Sequence, residues 1–258
     1  MDYNFHAHTY RCRHAGTERE KAYIEAALEA GITRFGFSEH APRYNFDGTE
    51  AGYTLPYAQV EDYFSTVRAL REEYCGKMEI YIGFEAEYYP QNPAYTQKMI
   101  SLGAEYMILG QHMIVLPNGQ LHYVVSTANT DETLRIYADT VIAALYTGKF
   151  TYLAHPDVFS PRGCDPALYE WEMRRICMAA EETDTPLEIN FLGIREQRFY
   201  PNPAFWKVAG AVGAPVTFGL DAHSAAAAKD RKSLVTAQEM VKAYGLRYIG
   251  APCLRRLG

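Results

Sequence analysis

Short apolar runs of strand character alternate with segments of helical period along this chain, and that alternation restricts the fold more than any other feature. "DYNFHAH", "ITRFGFSEH", "MEIYIGFEAEY", "EYMILGQH", "FTYLAH", "LEINF" and "PVTFGLDAH" read as seven strands. Helical patterns lie among them. "TEREKAYIEAALEAG" pairs Thr17 and Glu20 at capping-box spacing and ends on Gly31, where a stop belongs. "YAQVEDYFSTVRALREEYCG" sets Val60, Phe64, Val67 and Leu70 at helical spacing. "DETLRIYADTVIAALYTG", "ALYEWEMRRICMAAEET" and "NPAFWKVAGAVG" follow, then a last helix and "RYIG". Such alternation implies an α/β fold with a parallel sheet. The 258 residues suit one (β/α) barrel, and no repeat, low-complexity tract or Gly/Ser linker divides them, so residues 1–258 are expected to form a single domain.

The polar residues fall on one part of this map. His6 and His8 close the first strand, His14 lies in the loop behind it, and His40 closes the second. Glu85 and Glu87 close the third, His112 and His155 follow the fourth and fifth, and Asp221 and His223 close the seventh. In a parallel barrel these ends open on the same face, which is where such folds carry their active sites. Strand side chains alternate, so His6 and His8 point the same way, as do Glu85 and Glu87, and Asp221 and His223. Imidazole and carboxylate together are the usual ligands of zinc, iron and manganese. A lone H-x-H is more often a surface or core-satisfied pair. Seven of eight histidines on or just after strand ends make a far more specific signal. His122, in "NGQLHYV", falls outside the pattern and reads as structural or loop-exposed.

Charge and composition narrow the partners. A net charge of −6, from 31 acidic and 25 basic residues, weighs against wrapping nucleic acid. No apolar run approaches the roughly 20 residues of a membrane span, and "MDYNFHAH" is not a signal pattern. Five cysteines without a C-x-x-C pair fit a reduced, cytoplasmic setting.

"FHAHT", His14, "FSEH", "GFEAEY", "GQH", "AHPD" and "GLDAHS" resemble, in order and strand placement, the successive motifs of the polymerase and histidinol phosphatase (PHP) superfamily. Within it, "GFEAEYYP", "LEINFLGIRE" and "FGLDAHS" are most similar to the monofunctional histidinol-phosphate phosphatases. The resemblance spans the whole chain and implies a distorted (β/α)7 barrel with its active site at the C-terminal strand ends. It implies three divalent or mixed-valence ions of zinc, iron or manganese, and hydrolysis of L-histidinol phosphate in histidine biosynthesis. His6, His8, Glu85 and Asp221 would then hold the first ion. Glu85, preferred to Glu87 for its Gly-x-Glu position, would bridge to a second ion on His112 and His155. His14, His40 and His223 would hold the third. Two ligand carboxylates against three divalent ions leave the site at about +4, which suits a phosphomonoester dianion despite the acidic chain. The ions would clamp phosphoryl oxygens and activate a water, and Asp221 and His223 are candidate proton donors to the leaving alkoxide.

Substrate contacts are the remaining expectation. Arg162 in "HPDVFSPRG" and Arg195 in "NFLGIREQR" are candidate phosphate-binding residues, since guanidinium matches phosphate with a planar fork of donors. The bland alternative is a solvated surface arginine, and Arg43 and the Lys229, Arg231, Lys232 segment are weaker candidates. The 41–56 loop reads either as a lid, with Tyr44 and Tyr53 on the ligand, or as rim packing. Glu87, Tyr88, Asn190 and Glu196 are candidate contacts to the amino and imidazole groups, and Cys12 reads as small apolar filler. Three rivals remain. An amidohydrolase also opens on H-x-H, but many use a carbamylated lysine on the fourth strand, and "EYMILGQH" has no lysine. The others are a PHP-type esterase of nucleotides or other small phosphate esters, and a non-catalytic metal-binding protein.

Overall fold

The computed structural model describes residues 1–45 and 47–257. Strands β1 (Tyr3–Asn4), β2 (Arg34–His40), β3 (Glu79–Ala86) and β4 (Tyr106–Leu109) form a parallel sheet in chain order. β5 (Met113–Val115) and β6 (Leu121–Tyr123) form a separate antiparallel hairpin. β7 (Leu187–Asn190), β8 (Pro215–Gly219) and β9 (Arg247–Tyr248) form a second parallel group. Leu153 joins the two groups by pairing in parallel with Leu109 and Leu187. At the far edges Ala7 pairs with Ala222, so the parallel sheet curls until its ends meet. Side chains complete that seam: Tyr3 Oη lies 2.9 Å from Thr217 Oγ1, and Leu220 N donates to Asn4 Oδ1 at 2.9 Å.

The helices are α1 (Glu20–Glu29), α2 (Val60–Glu73), α3 (Pro93–Ser101), α4 (Asp131–Tyr146), α5 (Pro166–Glu182), α6 (Phe191–Arg195), α7 (Pro203–Val212), α8 (Ala225–Ala228) and α9 (Lys232–Tyr244). Val60, Phe64, Val67 and Leu70 of α2 are buried, as their spacing predicts, against strand residues that include Phe37, Ile82 and Phe84. A smaller aromatic cluster of Tyr3, Phe5, Tyr106 and Tyr152 packs separately, toward the strand starts. Gly36 and Gly83 make room for the Tyr106 ring, because a Cβ at either would collide with it.

Several local expectations change. The first strand is regular only over Tyr3–Asn4, because the His6–His8 segment also binds the opposite edge: His8 N donates to Ala222 O at 2.8 Å. "FTYLAH" keeps a single paired residue, Leu153. The Thr17–Glu20 capping box does not form. Arg19 occupies the N-cap position without a side-chain bond, and the buried Glu20 carboxylate takes the Arg11 guanidinium instead. A buried carboxylate needs a charge partner more than a helix end needs a cap. Gly31 stops α1 in the left-handed region, at φ +77°. The short helix α3 and the β5–β6 hairpin were not anticipated from the sequence pattern.

Candidate metal centre

Glu85 stands at the middle of the polar cluster. Register sets it there: it pairs with His40 across the β2–β3 ladder. Its Oε2 lies 3.6 Å from His6 Nε2, 3.4 Å from His8 Nε2 and 2.9 Å from His40 Nδ1. Its Oε1 lies 2.8 Å from His155 Nε2 and 3.7 Å from His112 Nε2. Asp221 Oδ1 is 3.5 Å from His6 Nε2, 3.4 Å from His8 Nε2 and 3.3 Å from His223 Nδ1. His14 Nε2 is 3.0 Å from His223 Nε2. Residues from 6 to 223 therefore converge.

Their grouping differs from the partition expected from the resemblance. Donor atoms of His6, His8 and Asp221 cluster, as do those of His6, Glu85 and His155, and those of His40, Glu85 and His112. His223 clusters both with His8 and His40, and with His14 and Cys12. His40 stacks on His8 at 4.1 Å, and its ring also lies 5.1 Å from that of His14. Cys12 is buried with its Sγ 3.9 Å from His14 Nε2, closer to the donors than a mere filler residue needs to be.

The backbone is adapted to this crowding. A Cβ at Gly110 would collide with the Glu85 carboxylate. His155 and Asp221 both adopt left-handed backbone, φ +30° and +44°, a conformation that costs non-glycine residues energy and concentrates at functional sites.

His6 Nε2, His8 Nε2, Glu85 Oε2 and Asp221 Oδ1 are buried and have no hydrogen-bond partner. An unsatisfied buried polar atom costs about 1–3 kcal/mol. Four that face one another form a cradle to which a cation supplies the missing partner. The mixed nitrogen and oxygen donors suit zinc, iron or manganese. The titration behaviour agrees. Burial opposes charge on His6, but Asp221, Glu188 and Glu85 together hold its pKa well above the ordinary value. His40 is raised against its burial chiefly by Glu85. Burial, His40 and His223 hold His8 well below. Burial first takes His112 down to about 3 and His223 to about 4. Glu85 and Asp221 stay well below the usual carboxylate range despite burial, because imidazoles surround them.

Two carboxylates behind the H-x-H pair were missed from the sequence. Glu188 Oε1 lies 2.8 Å from His6 Nδ1. Glu39 Oε1 lies 4.0 Å from His8 Nδ1, while its Oε2 accepts from Thr9 N at 2.7 Å. The available signal was a pair of polar residues two apart, Glu188 and Asn190, in the otherwise apolar "LEINF". Asn190 is buried and donates to Asp221 Oδ2 at 3.0 Å, so it supports the cluster rather than facing a substrate.

A cavity of about 590 Å³ opens over the cluster, with Tyr53, Tyr123, Glu196, Arg198 and Tyr200 on its walls. Neither expected arginine lines it. Arg162 is exposed in a turn. Arg195 donates to Leu220 O at 3.4 Å, Asp221 O at 3.3 Å and Asp230 Oδ2 at 3.0 Å, which ties down the loop bearing Asp221. Arg198, three residues on, takes the wall position and donates to Tyr200 Oη and Glu196 Oε2, both at 2.9 Å. Arg43 is buried beside Glu87, with Nε 3.3 Å from Oε2, and Tyr53 and Tyr89 donate to the same carboxylate. Glu87 is thus already partnered and lies outside the large cavity. In the 41–56 loop Tyr53 sets its ring edge-on to His40 at 5.9 Å, whereas Tyr44 stacks on Tyr57 at 4.8 Å on the rim. Tyr88 N is taken by Gln111. Lys229 pairs with Glu29, and Arg231 with Ala30 O. His122 Nε2 lies 2.7 Å from Asn129 Oδ1, a structural bond.

Comparison with known proteins points the same way. A family model described as "PHP domain" matches residues 4–191. A Deinococcus radiodurans protein named "Probable histidinol-phosphatase" is 26% identical over 228 residues, covering 84% of this chain and 85% of that protein. A Lactococcus lactis histidinol phosphate phosphatase, solved with zinc, L-histidinol and phosphate, superposes with a TM-score of 0.70 at 19% identity, covering 96% of this chain and 95% of its own. A chain of an archaeal ribonuclease P bound to mature tRNA superposes with a TM-score of 0.53 at 15% identity, covering 94% and 89%.

Proposed function

The chain belongs to the PHP domain family, and from that premise we propose that it is a metal-dependent phosphomonoesterase that converts L-histidinol phosphate to L-histidinol and phosphate. The observation that carries this reading is the set of unsatisfied donors at and beneath the floor of a cavity whose wall holds Arg198 and Glu196. The Deinococcus relative and the Lactococcus fold neighbour support the choice of ester. We read β1, β2, β3, β4, the Leu153 segment, β7 and β8 as the seven strands of a (β/α)7 barrel, with residues 1–258 as one domain. Five free cysteines support work in a reducing cytoplasm.

His6, His8, Glu85 and Asp221 would hold one ion, with Glu85 shared toward His112 and His155, and His14, His40 and His223 would hold a third. Bound divalent ions supply Lewis-acid stabilisation of phosphoryl charge and lower the pKa of a water. The chain's own residues do the rest. Arg198, held by Glu196 and Tyr200, would offer its remaining N–H donors to the phosphate dianion. Glu196, on the same wall, complements the substrate's ammonium group. Asp221 and His223, both on the cavity lining, are the candidate groups to pass a proton to the departing alkoxide.

The test is a phosphatase screen of metal-replete protein. L-histidinol phosphate should exceed p-nitrophenyl phosphate in kcat/KM by at least roughly a hundredfold, because a site that pairs polar groups rejects ligands lacking them. Comparable turnover of the two, or preference for a nucleotide, overturns the substrate. Inactivity toward every ester at full metal occupancy overturns the enzyme.

A further inference from the structure

We propose that Glu188 is a positioning residue that aligns three of the metal-binding groups at once. The inference rests on the metal-centre reading but not on the identity of the substrate.

Glu188 is fully buried on β7 and meets three partners. His6 Nδ1 lies 2.8 Å from its Oε1; His155 N and Asn190 Nδ2 donate to its Oε2 at 3.0 and 2.9 Å. The same Asn190 amide nitrogen donates to Asp221 Oδ2 at 3.0 Å, and Asn190 Oδ1 accepts from Gly193 N at 3.0 Å. One carboxylate therefore touches His6 through its ring, His155 through its main chain and Asp221 through a single amide.

The chemistry requires an acceptor. The backbone N–H and the amide N–H can only donate, and an ionised carboxylate can only accept. By accepting from His6 Nδ1–H, Glu188 fixes the tautomer that leaves the Nε2 lone pair facing Glu85 and Asp221. Its bond to His155 N holds the amide of a residue whose backbone is left-handed, at φ +30°. The fold makes space for this group: a Cβ at Gly219 would collide with the Glu188 carboxylate. Asn190, paired with Gly219 across the β7–β8 ladder, is brought to the same place by register.

Glu188→Gln tests this. The isostere keeps volume but turns an N–H toward a donor. Zinc affinity, titrated on the metal-free protein with a competing chelator, should fall about 10–100-fold at one ion, the usual cost of losing such a partner. Glu20→Gln is the control, since Glu20 is equally buried but pairs with Arg11 and bonds to none of the metal-binding groups. It should lower the Tm of the metal-free protein and leave zinc affinity unchanged. Asn190→Ala, which leaves Glu188 in place, should weaken zinc about tenfold and keeps the proposal testable if Glu188→Gln fails to fold. Wild-type zinc affinity in Glu188→Gln, or a loss no greater than Glu20→Gln shows, overturns it. So does unchanged affinity in Asn190→Ala when Glu188→Gln does not fold. None of these readouts uses substrate, so a failed phosphatase screen leaves the result intact.

Discussion

Glu85 and Asp221 on the cavity floor, and His6 and His8 buried beneath it, are at most 3% exposed and come from the ends of three strands. On the wall, Glu196, Arg198 and Tyr200 come from one irregular stretch after α6 and hydrogen-bond among themselves. Floor side chains inherit their positions from strand register, with glycine cleared beneath Glu85 and Glu188 and a supporting residue behind His6 and Asp221. On the wall only Tyr200 is anchored in the core, with Gly193 cleared against its ring, whereas Glu196 and Arg198 are held mainly by each other and by Tyr200. Such a division lets the floor determine what bond is broken while the wall adapts to which molecule carries it.

The comparison breaks most sharply at Glu85. Glu85→Ala removes the oxygens shared by five imidazoles, and kcat/KM should fall by at least about a thousandfold, the several kcal/mol that ions at such a site supply. Elemental analysis should show more than one ion lost per chain; full metal content in this variant would refute the shared role. Gly110→Ala, which changes no ligand, should displace the Glu85 carboxylate and lower zinc content in the same direction, though less.

The wall should respond differently. Arg198→Met is expected to cut kcat/KM by roughly 10–1,000-fold with metal content intact. Arg162→Met should stay within about twofold of the parent. Arg195→Met should cost about 1–3 kcal/mol of stability, because a buried carbonyl network and Asp230 lose their donor. Equal kinetics for the Arg198 and Arg162 variants would erase the distinction between wall and surface.

A smaller effect sharpens the floor itself. In the metal-free protein His6 and His40 have raised pKa values and His8, His14, His112 and His223 lowered ones. Zinc must displace whatever protons the raised groups hold, so affinity must rise with pH. Calorimetry at constant pH in buffers of different ionisation enthalpy should show proton release on loading. Heats independent of buffer would contradict this.

The same division explains what the sequence could reveal. The convergence of the histidines with Glu85 and Asp221 was readable because strand ends in a parallel fold open on one face and side chains alternate. Arg195 and Arg198 sit three apart around the end of a five-residue helix, and no periodicity there says which turns inward. Glu188 and Asn190 were visible as polar intrusions in an apolar strand, but their role depends on His6 and Asp221, which arrive from remote segments. Thr17 and Glu20 had the right spacing for a cap, and a tertiary partner, Arg11, claimed the glutamate.

The seam where Ala7 meets Ala222 bears on the order of events during synthesis. Tyr3 and Thr217, in contact across it, are separated by 214 positions, and closing a flexible loop of that length costs about 5 kcal/mol. Asp221 and His223 leave the ribosome long after His6 and His8, so a nascent chain that stops earlier lacks one of the cradle's four donors. Ions bound across the join, on the reading proposed above, would offset the closure cost only when both edges exist. The centre would then be completed only when the whole barrel has closed.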